Sequence, residues 1–167
     1  MLNCTYNAID LDRYLMCPGV WNLHEVADDA PYDAIIIICN SEKYGGGGIY
    51  NFYCTVYNHG EYPDYVVVHE MGHLIGGLAD EYYTSEVSVQ DFYPEGVEPT
   101  EPNLTTLVDF DSKWKDKVES GTPIPTPPVA KGVYRPSLHC TMNSIIYNDF
   151  CPVCRETLEK VIRYYSK

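Results

Sequence analysis

The sequence predicts an α+β fold: a small sheet beside one apolar helix that carries the chemistry, then an irregular second half closed by a terminal helix. Three observations predict it. Residues 34–39, Ala-Ile-Ile-Ile-Ile-Cys, form a continuous and mostly β-branched run between Tyr32-Asp33 and Asn40-Ser41. Such a run reads as a strand buried on both faces, hence a central strand under helices. Residues 66–75 read Val-Val-Val-His-Glu-Met-Gly-His-Leu-Ile, an apolar helix with polar groups set into it. Leu158, Val161, Ile162 and Tyr165 follow the 0, 3, 4, 7 spacing of an amphipathic helix, opened by Cys151-Pro152.

The remaining elements follow in order. Ile9, Leu11, Leu15 and Met16 lie at roughly helical spacing over residues 7–16, and Cys17-Pro18-Gly19 stops that segment. Residues 21–30 offer a second short helix. After the strand comes Tyr44-Gly45-Gly46-Gly47-Gly48. A phosphate loop would need Gly-Lys-Ser/Thr at its end, and Ile49-Tyr50 stand there instead. The glycines therefore read as a flexible or tight loop before a strand over 49–56. The polar-bearing helix starts near Pro63 and ends at Gly76-Gly77, by the preferences for proline in the first turn and glycine at the C-cap. Residues 92–136 are proline-rich, with Pro123, Pro125, Pro127 and Pro128 close together. Tyr93, Phe110, Trp114 and Tyr134 can anchor this stretch, so it reads as an ordered, irregular region with a short helix near 110–118.

Bulk properties narrow the function classes. A chain of 167 residues with 45% hydrophobic content fits one domain, 1–167, with subdomains 1–77 and 78–167 about the end of the helix. A formal net charge of −13 argues against nucleic acid and anionic membranes as partners. No apolar run is long enough to span a membrane. The first residues have no basic start with an apolar run behind it, so a targeting segment, if any, lies outside this sequence. Seven cysteines and sixteen tyrosines lean towards a secreted or cell-surface protein.

The chemistry is carried by His69-Glu70-x-x-His73. On a helix, residues four apart lie about 40° from one another on one face, so both imidazoles can bind one metal ion. Glu70 projects beside them, within reach of a water on that metal. The same pattern occurs by chance as a surface salt-bridge motif. Here the flanks are apolar, and polar groups in an apolar helix are costly unless a metal satisfies them. His24-Glu25 echoes the motif without its second histidine and reads as ordinary helix surface.

A catalytic zinc ion takes three protein ligands. One way to supply the third is to break the helix with glycine and bring a ligand back within a few residues. With Gly77 as the bend, Asp80 and Glu81 are the candidates. Successive side chains on extended backbone alternate faces, so only one of the two can face the metal.

His69-Glu-Met-Gly-His73 followed by Gly77-Leu78-Ala79-Asp80-Glu81-Tyr82 resembles the signature of the immunoglobulin-A peptidase family of bacterial zinc metallopeptidases, a metzincin-like group. Residues 40–48, Tyr134-Arg135-Pro136, Cys140-Thr141-Met142 and Phe150-Cys151-Pro152-Val153-Cys154 are similar to further parts of it. The resemblance implies a metzincin-like α+β zincin that hydrolyses peptide bonds of protein substrates, immunoglobulin A being the one in the family's name. It implies one zinc ion on His69, His73 and Asp80, with Glu70 as the general base and acid. Met142 would be the methionine floor beneath the metal, and Tyr134 is a further candidate for holding the oxyanion. The 68 residues before His69 are fewer than such domains usually have, which fits a truncated catalytic domain.

Two competing functions remain: a non-catalytic, zinc-stabilised binding module of a surface protein, and a hydrolase of small amides. The intact Glu70 argues against the first. Cys151-x-x-Cys154 admits three readings: a redox pair, half of a structural zinc site with Cys140 and His139, or a disulfide or packed thiols joining the Met142 segment to the last helix. The third is favoured.

Overall fold

A computed structural model describes residues 2–82, 93–94, 96–118 and 132–167. The chain divides into two compact units, Met1–Gly77 and Leu78–Lys167. The prolines at 123–128 lie outside the described residues. The class is α+β, and no helix among the described residues is long and apolar enough to cross a membrane.

In the first unit the helix expected over 7–16 does not form. Thr5 and Met16 exchange both backbone hydrogen bonds, 2.8 and 2.9 Å, closing an antiparallel loop. Only a 3-10 turn, Ala8–Asp10, remains, with Ile9 at φ 51° and Asp10 at φ 60°. The loop turns Leu15 and Cys17 inward. Helix α1, Val20–Ala27, buries Leu23 beside Cys17, Ile37 and Tyr53.

The sheet has three strands in the order β1-β3-β2: β1 Ile35–Cys39, β2 Gly46–Ile49 and β3 Tyr53–Tyr57. β1 runs parallel to β3, and β2 runs antiparallel to it. Three expectations are corrected here. The isoleucine run is an edge strand: Ile37 is buried, while Ile36 and Ile38 are 41% and 67% exposed. A continuous apolar run is buried on both faces only where layers cover both. The central strand is β3, buried at every position. Its Thr55 donates to the Leu15 carbonyl, so the strand carries its burial without a wholly apolar sequence. The glycine run, expected as a loop, forms strand β2 itself. The strand expected over 49–56 is a hairpin: Ile49 ends β2, residues 50–52 turn with Asn51 at φ 54°, and β3 begins at Tyr53.

The glycines have a packing reason. A Cβ on Gly46 would come within 2.7 Å of Glu70 Oε1, and one on Gly48 within 2.7 Å of the His73 Cβ. On its other face, a Cβ on Gly47 would lie 2.6 Å from Met16 Sδ. The bare backbone of β2 lies against helix α2, Pro63–Gly76. That helix has proline in its first turn, as expected, and ends at Gly77 in the left-handed conformation, φ 58°. The Gly77 amide donates to the His73 carbonyl. Left-handed backbone favours glycine because a Cβ would crowd it.

In the second unit Ala79, Leu104 and Val133 form a small core with Tyr93 packed on it. Thr105 and Tyr134 pair through both backbone hydrogen bonds. Helix α3 spans only Phe110–Lys113, continued by a 3-10 turn at Lys115–Lys117. Helix α4, Pro152–Tyr165, opens at Cys151-Pro152 as expected. Its buried residues are Val153, Cys154 and Leu158, whereas Ile162 and Tyr165 are more than half exposed. The apolar spacing was legible, but burial is confined to the first turns, where α4 meets the Cys140 segment.

Candidate metal centre

Helix α2 sets His69 and His73 on one face, one turn apart. Their Nε2 atoms lie 3.2 Å from each other, and the ring centroids 4.9 Å. Tyr65, one turn earlier, places its hydroxyl 3.3 Å from His69 Nδ1. With Nδ1–H donating to that hydroxyl, the Nε2 lone pair faces His73. Partners of this kind fix the tautomer and ring orientation of metal-binding histidines.

The spacing fits a metal. Two nitrogens each about 2.0–2.1 Å from a tetrahedral zinc ion lie about 3.3 Å apart. His69 and Glu70 are buried, and His73 is partly so. The Glu70 carboxylate lies over β2, which admits it only because Gly46 and Gly48 have no side chain. Behind it, burial and then the Glu70 charge push the Cys54 thiol up to about 12. Cys54 is therefore a protonated, inert neighbour.

Asp80, in the second unit, is partly buried. It follows the left-handed Gly77 by three residues, a covalent span of at most about 11 Å. Asn103, which the sequence reading missed, fixes the backbone just before it. Its Oδ1 accepts from the Ala79 amide and its Nδ2 donates to the Ala79 carbonyl, both at 2.8 Å. No local pattern marks Asn103, because its partner lies 24 residues away.

Glu81 is wholly buried and engaged elsewhere. Its Oε1 accepts from Asn103 Nδ2 at 3.0 Å and from Cys154 Sγ at 3.3 Å. Its amide donates to the Met142 carbonyl, and its carbonyl accepts from Arg135 Nη1, both at 2.8 Å. Met142 is fully buried beside a turn in which Asn143 and Ser144 donate to the Cys140 carbonyl. Tyr134 is half-buried and tied to Thr105 by its backbone. The structure thus brings His69, Glu70 and His73 together on one helix. Asp80, Tyr134 and Met142 belong to the second unit. His24, on α1, stacks on Phe52 at 5.5 Å and contacts the Tyr32 hydroxyl, in keeping with a surface role.

A family model described as IgA Peptidase M64 matches residues 1–130, a span that includes His69, Glu70, His73 and Asp80 and ends before Tyr134 and Met142. No curated protein matches the chain.

Proposed function

The chain belongs to the IgA peptidase M64 family, and on that premise we propose that it is a zinc-dependent endopeptidase with His69, His73 and Asp80 as ligands and Glu70 as its proton carrier. The observation that carries the proposal is the pair of Nε2 atoms at 3.2 Å, with Glu70 on the next helical position. Two imidazoles and a carboxylate are a donor set compatible with zinc. Asp80 is preferred to Glu81 because the Glu81 carboxylate is already committed to Asn103 and Cys154.

When bound, zinc would supply a Lewis acid that polarises the scissile carbonyl and acidifies water. The protein's own residues do the rest. Glu70 accepts a proton from the attacking water and returns it to the leaving amine. Its burial keeps that exchange away from bulk solvent. Tyr65 holds the His69 ring in register. Tyr134 is the candidate donor to the developing oxyanion, and Met142 the candidate apolar floor. An extended substrate can add to a sheet only at an edge strand. β3 is paired on both sides, and Tyr14 bridges to Gly46 on the outer side of β2, so the part of β2 beyond Gly46 is the edge that a substrate strand would meet beside α2.

Protein or peptide substrates follow from a peptidase family. Immunoglobulin A itself, and with it a secreted or surface location, is a proposal taken from the family's description. Casein and immunoglobulin A should be incubated with the chain, with and without a chelator, and with Glu70→Ala. Chelator-sensitive cleavage of either, lost in Glu70→Ala, supports the reading. Intact substrates under all conditions would leave a zinc-stabilised binding module as the better account.

A further inference from the structure

The second unit holds a cluster that the peptidase chemistry does not use. Glu81, Cys140, Cys151 and Cys154 bring one carboxylate oxygen and three sulfurs within 4.8 Å of one another. All four residues are buried, Glu81, Cys140 and Cys154 completely. They come from three places: the segment after Gly77, the turn that carries Met142, and the N-terminus of α4.

The geometry points to a second metal site: we propose that these four residues bind a structural zinc ion through three thiolates and one carboxylate. Zinc–sulfur bonds of about 2.3 Å at tetrahedral angles put sulfurs about 3.8 Å apart, and zinc–oxygen bonds of about 2.0 Å put oxygen about 3.5 Å from sulfur. Cys140 Sγ lies 3.7 Å from Cys154 Sγ, and Cys154 Sγ lies 3.3 Å from Glu81 Oε1. A disulfide needs about 2.05 Å, so the cysteines stand at metal-sharing distance and not at bonding distance.

Two further observations support the site. Glu81 Oε2 is buried and, among the described residues, has no hydrogen-bond partner. A buried carboxylate half-satisfied in this way is costly unless a cation answers it. Asn103 donates to Oε1, the oxygen beside Cys154 Sγ, and the Cys151 amide donates to Cys140 Sγ at 3.4 Å, which is how outer contacts orient metal ligands. His139, the fourth donor in the zinc reading that the sequence left open, is not part of the site: it is exposed and packs edge-on against Tyr147, 4.7 Å between centroids. Glu81, distant in sequence, takes its place. The redox reading of Cys151-x-x-Cys154 is not needed.

Cobalt(II) alone is the probe, titrated into the full chain stripped of metal under reducing conditions. Cobalt on thiolates gives sulfur-to-metal charge-transfer absorption in the near ultraviolet; cobalt on imidazoles and carboxylates does not. The wild-type chain should show that band, and His69→Ala/His73→Ala should keep it at one cobalt per chain. Cys151→Ser/Cys154→Ser should lose it. Glu81→Gln, which keeps the shape of the side chain, should keep the fold by circular dichroism and bind cobalt at least about 10-fold more weakly at the sulfur site. A saturated wild-type chain with no sulfur band would overturn the proposal. So would a band that disappears in the double-histidine variant, or a disulfide between two of the three cysteines found by mass spectrometry in protein purified without reductant. Because the double-histidine variant carries no catalytic ligand pair, failure of the sulfur site and failure of the peptidase reading give separate signals.

Discussion

In the proposed reaction Glu70 carries the proton, and it can be removed without removing a proposed ligand. Glu70→Ala should keep zinc at the histidine pair and lose at least about 100-fold in turnover, the usual scale for a proton-transfer group. Elemental analysis and peptide cleavage on the same preparation check both halves. Near-normal turnover would mean another group handles the proton. Asp80 and Glu81 should separate just as cleanly. Asp80→Ala should release the histidine-site metal on mild dialysis, while Glu81→Ala should retain it, read as metal content against the double-cysteine background. The reverse order would exchange their roles. The histidine pair and Glu70 were legible because a helix converts spacing into geometry one turn at a time. The commitments of Glu81 were not: its partners lie 22 and 73 residues away, and only folding brings Asn103 and Cys154 to it.

At the scale of elements, the contact between β2 and α2 sets the precision of the site. Gly48→Ala would put a methyl group 2.7 Å from the His73 Cβ and 2.8 Å from the Glu70 carbonyl oxygen. Neither atom is the far end of a flexible chain, so strand and helix must separate. A loss of about 1–3 kcal/mol is expected, on the scale of overpacked cores. Urea unfolding checks the stability, and the histidine-site metal affinity should fall with it. A variant as stable as wild type, with unchanged affinity, would show that β2 has slack. Helix α2 was legible end to end, because proline at its start and glycine at its cap act locally. The strands were not. Composition cannot distinguish an edge strand from a central one, since that depends on which layers arrive above and below. A glycine strand has no periodicity to read at all; its signal lies in what presses against it.

Over the whole molecule, stability in acid is governed by carboxylates that the fold has paired. Glu98 is the clearest. It accepts from the Thr106 amide and hydroxyl, the Asp109 amide and Lys113 Nζ at 3.1–3.3 Å. Burial opposes its charge, but the Thr105 hydroxyl, the Asp109 amide and Lys113 outweigh that and hold it below the usual carboxylate range. A carboxyl depressed in the folded state adds stability above its unfolded value and loses it as pH falls through the folded one. Glu98→Gln should therefore cost stability at neutral pH, and its difference from wild type should shrink between about pH 5 and pH 3. Thermal unfolding across that range is the measurement, and a difference independent of pH would remove charge from the explanation. The acidic balance of the chain, −13, was plain in the sequence, but which carboxylates are held charged was not. Glu98 looks like any other acid until Thr106, Asp109 and Lys113 fold around it.

The glycine run has a consequence for heredity. Any amino-acid replacement of glycine adds at least a Cβ, and at Gly45, Gly46, Gly47 and Gly48 that atom would meet a neighbour at 2.5–2.7 Å. At Gly45 and Gly48 backbone oxygens stand at 2.6 and 2.8 Å, and at Gly46 the Val66 Cγ1 stands at 2.8 Å, so these three have no mild first step, whereas at Gly47 the nearest atom is the movable end of Met16. In a library of all single substitutions, Gly45, Gly46 and Gly48 should stand out as intolerant, with Gly47 milder between them. Three codons that encode no functional group would then rank with His69 and His73, selected for the space they leave empty.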